Sequence, residues 1–127
     1  MCGIVGYLGK GIAQDSLIDG LRRLEYRGYD SAGVAFHEGH AFSMTRETGR
    51  VKNLSDSVKK NSSKSSLGIA HTRWATHGAV TVSNTHPHVS NDGKFVMVHN
   101  GVIENFGTLK RFLTSKGIKF LSETDSE

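Results

Sequence analysis

The sequence predicts an α+β domain, and three observations carry the prediction. Short apolar runs of strand length recur at residues 3–8, 67–70 and 94–98. Residues 32–37 and 41–47 flank a Glu38-Gly39-His40 connection and read as a β-hairpin. Residues 12–26, 51–60 and 105–116 carry apolar side chains at helical spacing. Strands and helices interleave along a chain of 127 residues, a length that suits one domain or part of one.

Each element has its own local reasons. The first strand is bounded by glycines, and Gly9-Lys10-Gly11 turns the chain after it. In the first helix Leu17, Ile18, Leu21 and Leu24 share a face, while Asp15 near the start and Arg22-Arg23 near the end complement the helix dipole. Val51, Leu54 and Val58 mark a second, short helix. The run Asn61-Ser62-Ser63-Lys64-Ser65-Ser66 is polar and reads as a flexible surface loop. Residues 83–90 read as an extended segment in which His86 and His88 share a face. The last helix presents Phe106, Leu109, Phe112 and Leu113 on one side and ends at Gly117. Residues 118–121 read as a short strand, and the acid-containing residues 122–127 as a solvated tail.

Composition narrows the function classes. Hydrophobic residues make up 36% of the chain and charged residues 22%, the balance of a soluble globular fold. No apolar run approaches the ~20 residues a membrane-spanning helix needs, so no membrane partner is expected. The net charge of +4 is scattered rather than gathered into a stripe with interleaved aromatics, which argues against nucleic acid as a partner. A single cysteine excludes an internal disulfide framework, and with no secretory signal visible the expected location is cytoplasmic.

That cysteine is also the strongest chemical signal. Cys2 directly follows Met1, and its small side chain leaves Met1 open to removal by start-processing enzymes. Cys2 would then carry a thiol of pKa about 8.5 and an α-amine of pKa about 7.7–8.0 on one residue, a nucleophile with its own base attached. The competing reading is inert core packing, the usual fate of a lone cysteine.

Three further segments bear on the choice. Arg27-Gly28-Tyr29-Asp30-Ser31-Ala32-Gly33 is either a plain turn after a helix or a polar loop beside a site. The strand at 67–70 delivers His71-Thr72-Arg73-Trp74-Ala75-Thr76-His77-Gly78. There Arg73 offers a planar fork that fits a carboxylate, Trp74 an apolar cover, and Thr76-His77-Gly78 backbone amides for a ligand. The alternative is a strand end with a surface Arg. His99-Asn100-Gly101 supplies a side-chain amide and a backbone N–H side by side, the parts of an oxyanion hole, or else an ordinary Asn-Gly turn. The histidine spacings match no zinc pattern, so neither a metal nor a cofactor is expected.

Taken together, Cys2-Gly3-Ile4-Val5-Gly6, the Tyr26–Gly33 loop, the octet at 71–78 and the Asn100-Gly101 segment resemble the class II glutamine amidotransferases. These are N-terminal nucleophile hydrolases, so the resemblance implies an α-β-β-α sandwich. The octet, residues 21–30 and Ser122-Glu123-Thr124-Asp125 resemble the branch that supplies ammonia to fructose 6-phosphate. Amidophosphoribosyltransferases share the terminal Cys and the Arg-Gly-x-Asp-Ser-Ala-Gly loop but differ at the octet.

The resemblance implies the following roles. Cys2 attacks the side-chain amide of glutamine, and its α-amine moves the proton. Asn100 and Gly101 hold the oxyanion. Arg73 binds the substrate α-carboxylate and Asp125 its α-ammonium. Thr76 and His77 add backbone contacts, Trp74 covers the site, and Arg27 helps enclose it. His86, in the stretch His86-Pro87-His88, is given no chemistry.

Family domains continue beyond Asp125, so residues 1–127 are expected to be the N-terminal part of the glutaminase domain, without the isomerase region that uses the ammonia. Missing layers would leave apolar faces or strand edges open and favour association between copies. A truncated, non-catalytic module that binds glutamine or only assembles with a partner is the alternative expectation.

Overall fold

A computed structural model describes every residue of the chain except His77. In order, its elements are β1 (Gly3–Leu8), α1 (Ala13–Leu24) with a 3-10 turn at Glu25–Arg27, β2 (Ser31–His37), β3 (Phe42–Thr48), α2 (Val51–Lys60), β4 (Leu67–Arg73), β5 (His88–Val89), β6 (Val96–Met97) and α3 (Phe106–Ser115).

Four strands form an antiparallel sheet in the order β1-β4-β2-β3. Its two faces are set by strand alternation. Val5 and Tyr7 of β1, Ala70 of β4 and Val34 and Phe36 of β2 point to one side. There they pack against Leu17, Ile18 and Leu21 of α1 and Leu54 and Val58 of α2. These are the apolar faces that the helical spacing predicts. Leu17, Leu21, Leu54 and Val34 are fully enclosed, worth about 1.5–3 kcal/mol each by transfer from water.

Short polar contacts lock the helix layer onto the sheet. The carboxylate of Glu25, at the end of α1, accepts the Val51 N–H at 2.7 Å and pairs with Arg50 at 3.0 Å, so it caps α2 where no side chain of α2 does. The 61–66 run is not the free loop its composition suggests. The Ser65 carbonyl accepts the Ala13 N–H at 2.8 Å, Ser65 Oγ donates to the His37 carbonyl at 2.6 Å, and Ser63 is buried against Glu38. Its serines satisfy the start of α1 and the end of the hairpin together.

The opposite face of the sheet carries His71 and Arg73 of β4, Gly33 and Ala35 of β2, and Ile4 of β1. The 84–88 segment lies on it. Arg46 of β3 donates to the Thr85 carbonyl at 3.2 Å, and a Cβ on Gly33 would drive into the His86 carbonyl oxygen. Beyond this lies the beginning of a second sheet, the ribbon β5-β6.

Two expectations need correction here. Only Val96–Met97 of the 94–98 run is strand, and it pairs with His88–Val89, outside the four-stranded sheet. A tight turn, with Gly93 at φ +72° and the Ser90 N–H donating to the Phe95 carbonyl at 2.9 Å, folds the run back on its neighbour. Residues 118–121 form no strand, because the Leu121 and Ser122 N–H groups donate to the Glu127 carboxylate at 2.7 and 2.6 Å. α3 forms as expected, yet none of its residues is buried, and Phe112 is 57% exposed.

Candidate active site

The pairing of β1 with β4 builds the site. Gly3 stands opposite Thr72, so Cys2 falls beside the end of β4, where the octet leaves the sheet. Its Sγ accepts the Trp74 N–H at 3.2 Å and lies 3.7 Å from the Trp74 carbonyl. Cys2 is half-buried at the rim of a cavity of about 310 Å³ and outside the hydrophobic core, so the competing reading of inert core packing fails.

The loop after α1 closes one side. Gly28 lies so near the backbone of Met1, Thr72 and Arg73 that a Cβ there would come within 2.9 Å of the Met1 carbonyl oxygen. Arg27 reaches over Met1, with Nη2 4.0 Å from its sulfur, and lines the cavity. Asp30 bonds to both ends of the octet's exit: its N–H donates to the Arg73 carbonyl at 3.1 Å, and its carboxylate accepts the Ala75 N–H at 2.8 Å. Tyr29 meets the Trp74 ring edge-on at 5.2 Å, and Arg50 stacks over Tyr29 at 5.5 Å.

Arg73 is 4% exposed, and its Nη1 and Nη2 donate to the Ala79 and Gly78 carbonyls at 3.1 and 3.4 Å. Burial pulls its guanidinium below the usual arginine range, while Cys2, Asp30 and Asp125 act in the other direction. These contacts hold both terminal nitrogens of the guanidinium in place. Thr76 lines the same cavity. His77 lies outside the described residues.

The far wall comes from residues 99–101 and 122–126. Asn100 Oδ1 lies 2.8 Å from His71 Nε2, and Gly101 follows at the rim. Asp125 accepts the Ile103 N–H at 2.8 Å through Oδ2. Residues 122–126 are not the solvated tail expected. Ser122, Thr124 and Ser126 are buried, Thr124 Oγ1 lies 3.0 Å from His88 Nε2, and Ser126 Oγ lies 3.1 Å from His99 Nδ1. The segment is bent rather than extended, and it buries these three residues while Asp125, between two of them, lines the cavity.

Of the residues the sequence points to, Cys2, Arg27, Arg73, Trp74, Thr76, Asn100, Gly101 and Asp125 line this one cavity, and His77 lies outside the described residues. The sequence reading missed Asp30, His71, Thr124 and Ser126, and it left His86 without a part. His86 stacks on His71, ring centroids 4.2 Å apart, with His88 edge-on to it at 4.5 Å. Burial pushes all three rings down, His71 and His88 to about 4 and His86 to about 2, so they are neutral near pH 7. The one signal in the sequence is two imidazoles two positions apart; the expected extended segment at 83–90 is instead turn and bend at 83–86, with only His88–Val89 in a strand. Among the described residues no group of His, Cys, Asp and Glu is arranged to hold a metal ion.

Comparisons with known proteins agree with this geometry. A family model described as a glutamine amidotransferase domain matches residues 55–127. The glutamine–fructose-6-phosphate aminotransferase (isomerizing) of Thermus thermophilus is 51% identical over 127 residues, covering 100% of this chain and 21% of the relative. That of Chlamydia abortus is 55% identical over 128 residues with the same coverage. The chain thus spans about a fifth of the length of the curated relatives it matches. Among solved structures, the glutamine phosphoribosylpyrophosphate amidotransferase of B. subtilis superimposes with a TM-score of 0.82 at 25% identity, covering 99% of this chain and 27% of that one. A second structure, described as the allosteric regulatory enzyme of purine biosynthesis, gives 0.84 at 24% identity with 99% and 28% covered, a likeness of fold alone. The helix layer, the four-stranded sheet and the beginning of a second sheet are those of an N-terminal nucleophile amidotransferase. The chain belongs to the glutamine amidotransferase family.

Proposed function

We propose that residues 1–127 are the N-terminal part of the glutaminase domain of a glutamine–fructose-6-phosphate aminotransferase, and that they carry the groups that bind and open glutamine. One observation carries the reading: the Cys2 thiol, the Asn100-Gly101 pair, the Arg73 fork and the Asp125 carboxylate face one cavity. The identity of about half to relatives of that name favours the sugar-phosphate branch over the phosphoribosyl branch.

The chemistry follows from the groups present. With Met1 removed, the Cys2 α-amine takes the thiol proton, and Sγ attacks the side-chain carbonyl carbon of glutamine. The carbonyl oxygen becomes an oxyanion within reach of the Asn100 NH2 and the Gly101 N–H. The C–N bond breaks as the α-ammonium returns the proton, and ammonia leaves. Water then opens the Cys2 thioester to give glutamate and the free thiol. Arg73 and Asp125 hold the α-carboxylate and α-ammonium, which makes an amino acid the substrate class. In the whole protein the ammonia goes to fructose 6-phosphate. A cytoplasmic setting fits, because the nucleophile has to stay reduced.

The test combines intact mass with labelling by the diazoketone analogue of glutamine. Loss of Met1 and a single adduct on Cys2 are expected, with no adduct on Cys2→Ser. Retained Met1 in an active preparation, or an adduct elsewhere, would overturn the reading.

A further inference from the structure

His71 leaves β4 on the face turned away from the helices, with Ile4 of β1 and Gly33 of β2 as its register partners. Because Gly33 carries no side chain, the 84–88 segment can lie directly on the sheet. His86 then stacks on the His71 ring, 4.2 Å between centroids and 22° from parallel. His88 supports His86 from its edge and is itself tied to Thr124 at 3.0 Å. The flat face of His71 is thereby clamped, and the freedom left to the ring is what its two nitrogens do.

Those nitrogens differ sharply. Nε2 meets Asn100 Oδ1 at 2.8 Å, whereas Nδ1 is buried with no partner. A buried acceptor without a partner is tolerated more readily than a buried donor without one. The ring proton therefore belongs on Nε2, and His71 donates to the Asn100 oxygen. Burial keeps the ring neutral at physiological pH, so only one of its two nitrogens carries a proton. An amide whose oxygen is held this way has its NH2 left to offer. Turned by half a rotation, the same amide would present its oxygen to a developing oxyanion, and repel it.

We propose that His71 is the positioning residue for Asn100: its Nε2–H holds the side-chain oxygen and so turns the amide NH2 toward the carbon that Cys2 attacks. The role rests on the glutamine reading above and adds to it a residue that acts through Asn100. His86 is the wedge that keeps the His71 ring in plane.

Two measurements on the full chain test it. Long-range proton–nitrogen correlations of the histidine rings should show His71 as the neutral Nε2–H tautomer, and the Nδ1–H tautomer would overturn the proposal. The diazoketone analogue then reads the function. In His71→Phe, which keeps a flat ring against His86 but cannot donate, the maximal rate of Cys2 labelling should fall about 100-fold, as for loss of an oxyanion donor. The concentration for half-maximal labelling should not change, because Arg73 and Asp125 still hold the α-groups. His71→Gln, with an NH2 to donate, should recover part of the rate. Equal rates in the Phe and Gln variants, or a weaker half-saturation in place of a slower maximum, would mark His71 as merely structural. A wild-type chain that takes no label on Cys2 would overturn the glutamine reading and the positioning role with it. A labelled wild type with indifferent His71 variants would overturn the positioning role alone.

Discussion

The carboxylate of Asp30 accepts the backbone N–H of Ala75 at 2.8 Å across 45 positions of sequence. The same residue's N–H donates to the Arg73 carbonyl at 3.1 Å, so Asp30 spans the point where the octet leaves β4. Trp74 lies between those two contacts, and its own N–H points at the Cys2 sulfur. Asp30→Ala should free this bend, at about 1.5–3 kcal/mol for a hydrogen bond to a charged group. Hydrogen exchange at Ala75 and Trp74 should accelerate, and Cys2 labelling should slow. Unchanged protection at Ala75 would show that the bend holds without the carboxylate.

Arg73→Lys is expected to weaken glutamine binding more than the retained charge suggests. The arginine fork is already oriented by the Gly78 and Ala79 carbonyls, and a lysine ammonium cannot reproduce both contacts and still meet a carboxylate with two parallel bonds. Calorimetry on Cys2→Ser, which binds without turnover, should show a loss of about 1.5–3 kcal/mol. Equal affinity would remove Arg73 from the clamp.

Gly33→Ala should damage both stability and chemistry. Its methyl would meet the His86 carbonyl, so the 84–88 segment must lift away from the sheet. Overpacking of this kind costs about 1–3 kcal/mol. Because His86 stacks on His71, the labelling rate at Cys2 should drop as well. A variant as stable as the parent in urea would mean that the segment has room the structure does not show.

Stability should fall with acid over a defined window. His71 is held down to about 4 by burial, against an ordinary value of 6.5, and His86 and His88 are shifted the same way. Between pH 6.5 and 4 the unfolded chain therefore binds protons that the folded chain refuses. Stability is complete above the upper limit and is lost as pH falls toward the lower one. The contribution of His71 alone is roughly 3 kcal/mol. Arg46, Arg73 and His99 surround the cluster with charge of the same sign, and Glu127 and Asp125 oppose it. Urea midpoints at pH 7 and pH 5 should differ clearly in the parent and less in His86→Phe. Coincident midpoints would contradict the buried neutral rings.

Much of this was legible in advance because it is local. Apolar spacing marks the two packed helices, and Glu38-Gly39-His40 marks the hairpin. Cys2, Arg73-Trp74 and Asn100-Gly101 stand out by residue type, whereas Asp125, in a stretch that reads as a solvated tail, is named only through the family resemblance. What escaped is pairing at a distance. No local pattern says that His88–Val89 pairs with Val96–Met97, since two residues are too few for a period. The Asp30–Ala75 and Asn100–His71 contacts join segments that alternation places but does not match. The 61–66 run looks solvated in composition, yet the Gly9 and Ala13 N–H groups and the His37 carbonyl are bonded by it.

The β1–β4 ladder acts as a ruler. It fixes Gly3 against Thr72, and so measures off Cys2 against the arginine that follows Thr72. A slip of one rung would carry the sulfur about 3.4 Å along the strand and reverse every side chain of β1. Val5 and Tyr7 would leave the core, so the ladder cannot slip without unpacking the sheet. A residue inserted between Cys2 and Gly3 is therefore an error of length that no side chain can correct, whereas the exposed hairpin tip at Gly39-His40 lies outside this measured distance.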